Sequence, residues 1–303
     1  MVTFSVLICT YNRPDLLAQC LRSLIENTDE KPDEIVIVNG GDERTDRVVE
    51  TSRQRVERSG QKKIEIKLIK TINKNLAVSR NVGLPHCTGD IIAMTDDDAE
   101  VFPDWVARMK QIHAEYAEAG AVGGAVIGAE KDSLLSRISD RVTFGAYPTA
   151  RAVRTLPGVN VSYKRQVIEQ VGVQDETLFR GEDVDYNWRA QKFGWTIWYD
   201  PRIRVLHHHR PTLCGFLNQH YMYGRAYYLV RQKHPEMYCV YPHVFERPKD
   251  FLRAVNFFAA ILYEPLIYAG RMERVADKVL AAPLLFANQL AWRGGMIRQK
   301  LAS

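Results

Sequence analysis

The chain has 303 residues, 46% of them hydrophobic and 25% charged. That excludes a disordered or fibrous protein and leaves room for one large α/β domain with an appendage, or for two domains. The net charge of +5 is unevenly spread: residues 211–303 hold 12 Lys/Arg against 6 Asp/Glu, a balance of +6, so the first 210 residues sum to −1.

In chain order, the apolar run "FSVLICT" (4–10) predicts a buried strand, and "TYNRPDLLAQCLRSLIEN" a helix with Pro14 in its first turn and Leu17, Leu21, Leu24 and Ile25 on one face. "DEIVIVNGG" (33–41) reads as a strand ending in glycine. "KIEIKLIK" (63–70) alternates as a half-exposed strand does, "NLAVSRNVGL" (75–84) reads as a helix, and "DIIAMT" (90–95) as a strand. Next come a helix over 104–120, a strand over 121–128, a variable region over 129–155, a helix from "GEDVD", and the closing strand "RIRVLHHH" (202–209). Strands alternating with helices predict a mainly parallel sheet with helices on its faces, and ligands in such sheets gather at the carboxyl ends of the strands. Three of those ends carry polar clusters: "TYNR", "NGGDERTD" and "DDD".

From Thr212 on, the pattern is helical and rich in Tyr and Phe, and Pro283 is expected to break or kink a helix. No stretch of about 20 uncharged apolar residues occurs, so a membrane-spanning helix is not expected. The N-terminal run lacks the basic region and cleavage site of a signal peptide. Five cysteines without a C-x-x-C pair suggest neither a zinc site nor a disulfide framework, which fits a reducing, intracellular setting.

Three adjacent aspartates, Asp96, Asp97 and Asp98, follow the buried run 90–95. Strand alternation puts Asp96 and Asp98 on one side, and two such carboxylates suit Mg²⁺ or Mn²⁺ shared with a phosphate oxygen. Neither G-x-x-x-x-G-K-[ST] nor G-x-G-x-x-G occurs, so a nucleotide would be held by other means. Alternation along 202–209 sets His207 with Ile203 and Val205 on the buried side of the strand.

Taken together, "SVLICTYNR", "EIVIVNGG", "NLAVSRNVGL", "TGDIIAMTDDDAE" and "GEDVDYNWR" resemble glycosyltransferase family 2, over about residues 3–210. The resemblance implies the GT-A fold and an inverting, metal-dependent transfer of a sugar from a nucleoside-diphosphate sugar, UDP- or GDP-linked, to an acceptor hydroxyl, as in surface polysaccharide or glycolipid assembly. The acceptor would be a saccharide or a lipid-linked sugar, with no part for nucleic acid. The resemblance further implies that Thr10, Tyr11 and Arg13 border the base and ribose. Asn39 stands where many members have a base-binding Asp, with Asp42 close by. Arg80 and Asn81 would line the diphosphate, Asp96 and Asp98 would be the D-x-D metal pair, and Asp97 would approach the ribose or sugar. Asn160, in the segment 158–165 that would wall the acceptor side, would contact donor sugar or acceptor, Asp183 would be the base beside Glu182, and His207 would join the metal pair. A nucleotidyltransferase and a non-catalytic sugar-nucleotide-binding module are the alternatives. The expected organisation is a GT-A domain over 1–210 and a helical extension over 211–303. The basic, aromatic extension suits either peripheral contact with the inner face of the cytoplasmic membrane or a homodimer interface in an otherwise cytoplasmic protein.

Overall fold

The computed structural model describes residues 2–59 and 64–303. The first strand, β1 (Phe4–Thr10), lies between β2 (Glu34–Asn39) and β4 (Ile91–Asp96), and β3 (Glu65–Lys70) pairs outside β2; all these pairings are parallel. Lys63, the expected start of β3, lies outside the described residues. Alternation along each strand sends its apolar residues to both faces. Ile35 and Ile37 of β2 join Phe4, Val6 and Ile8 in one core with Leu17 and Leu21 of α1 (Pro14–Arg22) and Trp105 and Met109 of α4 (Trp105–Glu115). Val36 and Val38 join Leu7, Ile92 and Met94 in a second core, with Tyr186 and Ala190 of α7 (Glu182–Lys192). Burial on both faces is why these strands read as continuous apolar runs.

Beyond β4 the sheet turns mixed. β8 (Val161–Lys164) runs antiparallel to both β4 and β6 (Ala119–Gly128), β6 pairs parallel with β9 (Thr196–His207), and β5 (Ala99–Val101) and β7 (Arg151–Val153) pair antiparallel with β9. The mainly parallel sheet of the sequence reading therefore holds for one half only.

Several expected elements shift. The helix over 104–120 stops at Glu115, because Ala119 and its neighbours pair with β9 instead. Glycine was needed there: a Cβ on Gly120 would lie 2.6 Å from the Trp195 side chain. The helix α2 (Glu43–Ser59) was not foreseen, since only Thr45, Val49, Ser52 and Val56 form its buried stripe and two of these are polar. Parallel pairing of β2 with β3 demands such a crossover. Helix α3 (Leu76–Gly83) begins where expected, with the Asn75 side chain accepting the Val78 N–H.

The chain divides into two compact units, one holding residues up to Ala129 and Phe144–His208, the other Glu130–Thr143 and His209–Ser303. Helix α5 (Leu134–Val142) thus belongs with the C-terminal helices α8 (Leu213–Lys233), α9 (Pro248–Gly270) and α10 (Val275–Ala302), although the sequence reading placed all of 1–210 together. Within this second unit, Ile138, Phe216, Ala269 and Leu285 share a core, and Arg137 pairs with Asp277 at 2.6 Å. Gly224 and Gly295 let the α8 and α10 backbones meet where a Cβ would find no room. Helix α10 continues through Pro283 instead of breaking there. One expectation is corrected: α9, at 23 residues, is long and apolar enough to cross a membrane by length and composition, because its charges are few, not because they are absent.

Glu34 ties down the amino-terminal edge of the sheet. Its carboxylate accepts from the Ser5 hydroxyl, from Thr88 and Gly89, and from the Lys67 ammonium at 2.6 Å. Burial acts to raise its pKa, but these donors outweigh that and lower it from 4.5 to about 2. A depressed carboxylate pKa contributes stability that is present above the unfolded value and lost as pH falls through the folded one. Glu34→Gln should therefore cost about 3 kcal/mol at neutral pH, and urea titrations should show the gap closing between pH 4.5 and about 2.

Candidate active site

Strands β1 and β4 run in register, with Cys9 beside Asp96, so the end of β1 and the aspartate turn face each other. Asp97 is fully buried and Asp98 nearly so. Arg13, just after β1, bridges them: Nη2 lies 2.6 Å from Asp97 and Nη1 2.5 Å from Asp98. Burial pushes the Asp97 carboxyl up to about 7, with Arg13 opposing.

The end of β9 pairs with β5, placing His207 opposite Ala99. Its Nε2 lies 3.4 Å from Asp98 Oδ1. One ligand atom each from Asp96, Asp98 and His207 lies within 4.8 Å of the others. The other two histidines go elsewhere: His208 Nε2 lies 3.1 Å from Glu100, and His209 Nε2, in the helical unit, 2.8 Å from Asp140.

The acidic motif after Gly181 divides three ways. Gly181 sits at φ 80°, a left-handed conformation that favours glycine and lets α7 start at once. Asp185 is spent on Arg189 at 2.8 Å. Glu182 is buried and meets Arg80 Nη1 at 2.9 Å, while Arg80 Nη2 lies 3.4 Å from Asp96. Asp183 accepts the Gly158 N–H at 3.0 Å. Burial raises Glu182 to about 7, and Asp183 beside it adds to the rise. For Arg80, burial acts to lower the guanidinium pKa, but Glu182 and Asp96 override it and hold it above its usual range. Gly158 is small for Arg80's sake, since a Cβ there would lie 2.7 Å from Nη1. Four carboxylates (Asp96, Asp97, Asp98, Glu182) thus share two guanidiniums, Arg13 and Arg80, with Asp183 beside them, a crowding of acids that a divalent cation would relieve. Two carboxylate oxygens and an imidazole nitrogen suit Mn²⁺.

Three asparagines expected at ligands have their side chains engaged by the protein. Asn39 is fully buried; its oxygen accepts the Gly41 N–H at 2.7 Å and its amide donates to Asp46 at 2.8 Å and to the Asp42 carbonyl. Asn160 is fully buried too, accepting from Trp105 Nε1 at 2.8 Å and donating to the Ala125 and Ile203 carbonyls. Asn81 exchanges hydrogen bonds with the Gln174 backbone and reaches Glu176 at 3.0 Å. Asp42 stands at the start of α2, accepting the Arg44 N–H at 3.2 Å. Thr10 is buried at the end of β1, and the Tyr11 ring is 48% exposed, free to meet a planar ligand.

Sequence reasoning missed Asn12. It adopts φ 53°, and its side chain accepts the Asp42 N–H at 2.9 Å, which sets the loop after β2. The signal was its residue type, since Asn tolerates the left-handed region better than most. Lys70, paired with Asp46 at 2.5 Å, was missed as well.

The family model for glycosyl transferase family 2 matches residues 5–172, over half the chain and across both β1 and the aspartate turn. The chain belongs to glycosyl transferase family 2. Among curated relatives, the glucosyl-dolichyl phosphate glucuronosyltransferase of Haloferax volcanii is 30% identical over 190 residues, 59% of this chain and 58% of that one. The pre-mycofactocin glycosyltransferase of Mycobacterium tuberculosis is 28% identical over 175 residues, 54% of this chain and 36% of that one. The matches thus span only part of these relatives' length. Among solved structures, a mannosyltransferase from Pyrobaculum calidifontis, in complex with GDP-Man and Mn²⁺, superposes with a TM-score of 0.65 at 17% identity, covering 98% of this chain and 87% of that one. The fold of this family 2 chain is accordingly GT-A, an α/β sheet flanked by helices with a helical C-terminal region.

Arg80 ties the aspartate turn to α7, and its removal should show in stability. Arg80→Ala leaves Glu182 buried without its cation and should cost about 3–5 kcal/mol. Arg80→Met should cost a similar amount, and Glu182→Leu added to it should recover most of that loss, measured with both single variants as a double-mutant cycle by urea denaturation.

Proposed function

We propose that this chain is an inverting glycosyltransferase that moves a sugar from a nucleoside-diphosphate sugar to an acceptor hydroxyl, with a divalent metal, Mn²⁺ or Mg²⁺, bound by Asp96, Asp98 and His207. The observation that carries this reading is the convergence of those three ligand atoms within 4.8 Å, tied through Arg80 to the acidic start of α7. The Pyrobaculum structure, solved with GDP-Man and Mn²⁺, supports the donor class, and the name of the Haloferax relative supports a lipid-linked sugar as acceptor, with a saccharide as the other candidate.

When bound, the metal would neutralise the charge growing on the leaving diphosphate. Asp183 is assigned as the base. Its carboxylate is oriented by the Gly158 N–H, and it takes the proton of the acceptor hydroxyl as that oxygen attacks the anomeric carbon. The bond from that carbon to the diphosphate breaks, and the diphosphate leaves with the electron pair. Glu182, held by Arg80, orders α7 and is a positioning residue, as Asp97 is for Arg13. Tyr11 stacks on the base, and Thr10, Arg13 and Asp42 border the nucleotide, while Asn39, Asn81 and Asn160 hold the walls of the cleft. We place the enzyme in the cytoplasm, working where a membrane presents a lipid-linked acceptor in polysaccharide or glycolipid assembly.

Calorimetric titration of UDP and GDP with Mn²⁺ present tests the metal site. Asp98→Asn should abolish Mn²⁺-dependent binding; unchanged binding would remove Asp98 from the metal. Asp183→Asn should bind the same nucleotide normally yet lose transfer by about 10²–10⁴-fold in kcat, whereas wild-type turnover would remove it from catalysis.

A further inference from the structure

Helix α9 is amphipathic in the inverted sense. Its protein-facing side carries the buried Asp250, Phe257, Ala260, Pro265 and Ala269. Between Phe251 and Gly270 the chain has two charges, and both are drawn to that side or its edge: Arg253 pairs with Asp250 at 3.3 Å, and Glu264 with the buried Arg293 of α10 at 2.9 Å. The outward side presents Leu252, Val255, Phe258, Leu262, Leu266 and Ile267, between 47% and 69% exposed. At 3.6 residues per turn these positions cover about half the circumference. Polar groups on that side are few, and the Tyr263 hydroxyl is turned to Asn256 Oδ1 at 2.9 Å. A helix on a water-facing surface has the opposite pattern.

We infer that the outward face of α9 docks on a lipid bilayer, lying in the membrane plane with its apolar side chains at the headgroup–acyl boundary. Cations outnumber anions at both ends of the apolar stretch, with exposed Arg247 and Lys249 against Glu246 before it and exposed Arg271 and Arg274 against Glu273 after it, which complements anionic headgroups. The helix lies flat because only half of it is free: the other half packs on α10 and holds both ion pairs. A second copy of the chain fits this face less well. Protein interfaces of standard size carry on the order of ten direct hydrogen bonds, and this face offers no charged group and few side-chain donors, the Asn256 amide among them.

Flotation of the full chain with vesicles tests this. The protein should float with phosphatidylcholine vesicles containing phosphatidylglycerol, and less so as salt rises or with phosphatidylcholine alone. Leu262→Asp with Leu266→Asp should lower the partition coefficient by about a hundredfold while leaving the circular dichroism and Tm unchanged, since both side chains are exposed. A wild type that floats with neither vesicle, or a double variant that floats as well as wild type, overturns the inference. So does a dimer in solution that the double variant turns into monomer without any vesicle binding, which assigns the face to a second copy. The orientation has its own readout. In a Cys214→Ser background, fluorophores at Leu252→Cys, Leu262→Cys and Ile267→Cys should be quenched equally by lipid brominated at one chain position. A steady gradient along the helix would mean that it spans the bilayer, and would sink the in-plane arrangement.

Discussion

Carboxylates crowded at the ends of buried strands repel one another, and two guanidiniums keep this site assembled against that repulsion. Arg13 spans Asp97 and Asp98, and Arg80 spans Asp96 and Glu182. Arg13 follows β1, the neighbour of β4, and Arg80 lies in α3, the crossover from β3 to β4, so the charge balance of the site and the order of the parallel strands depend on each other. Removing water from ions is costly, and a guanidinium within 2.5–3.4 Å of each of these four carboxylates offsets that cost. The same economy dictates Gly158, whose missing side chain makes room for Arg80.

The compensation is incomplete by design. More acids than guanidiniums crowd the side where Asp96, Asp98 and His207 converge. The antiparallel insertion of β8 matters here. It separates β4 from β6, lets β9 return alongside β6, and so brings the end of β9 back to β5 and the aspartate turn. A sheet parallel throughout would not deliver a histidine to that place by this route. The helical unit follows other rules: glycines at the α8–α10 crossing allow close backbone approach, while α9 turns its charges inward and its leucines out.

The sequence by itself determined β1, β2 and β4, because burial on both faces leaves an unbroken apolar run, and β3 by its alternation; it determined α1 through Pro14 and helical spacing, and α3 within 75–84. It located the acidic cluster after β4, and alternation along β9 set His207 on the buried side; that His209 leaves for Asp140 was decided by the tertiary structure. It could not place α2, whose stripe is half polar, nor stop α4 at Glu115, since small residues such as Ala119 and Gly120 serve helix and strand alike. Only the tertiary structure decided what each polar group is for. Asn39, Asn81 and Asn160 read as ligand contacts, yet all three meet protein partners, because hydrogen-bond valence is settled by what lies nearest in space. Glu182 and Asp183 are adjacent in sequence, but successive helical positions point about 100° apart, so one meets buried Arg80 and the other the Gly158 amide.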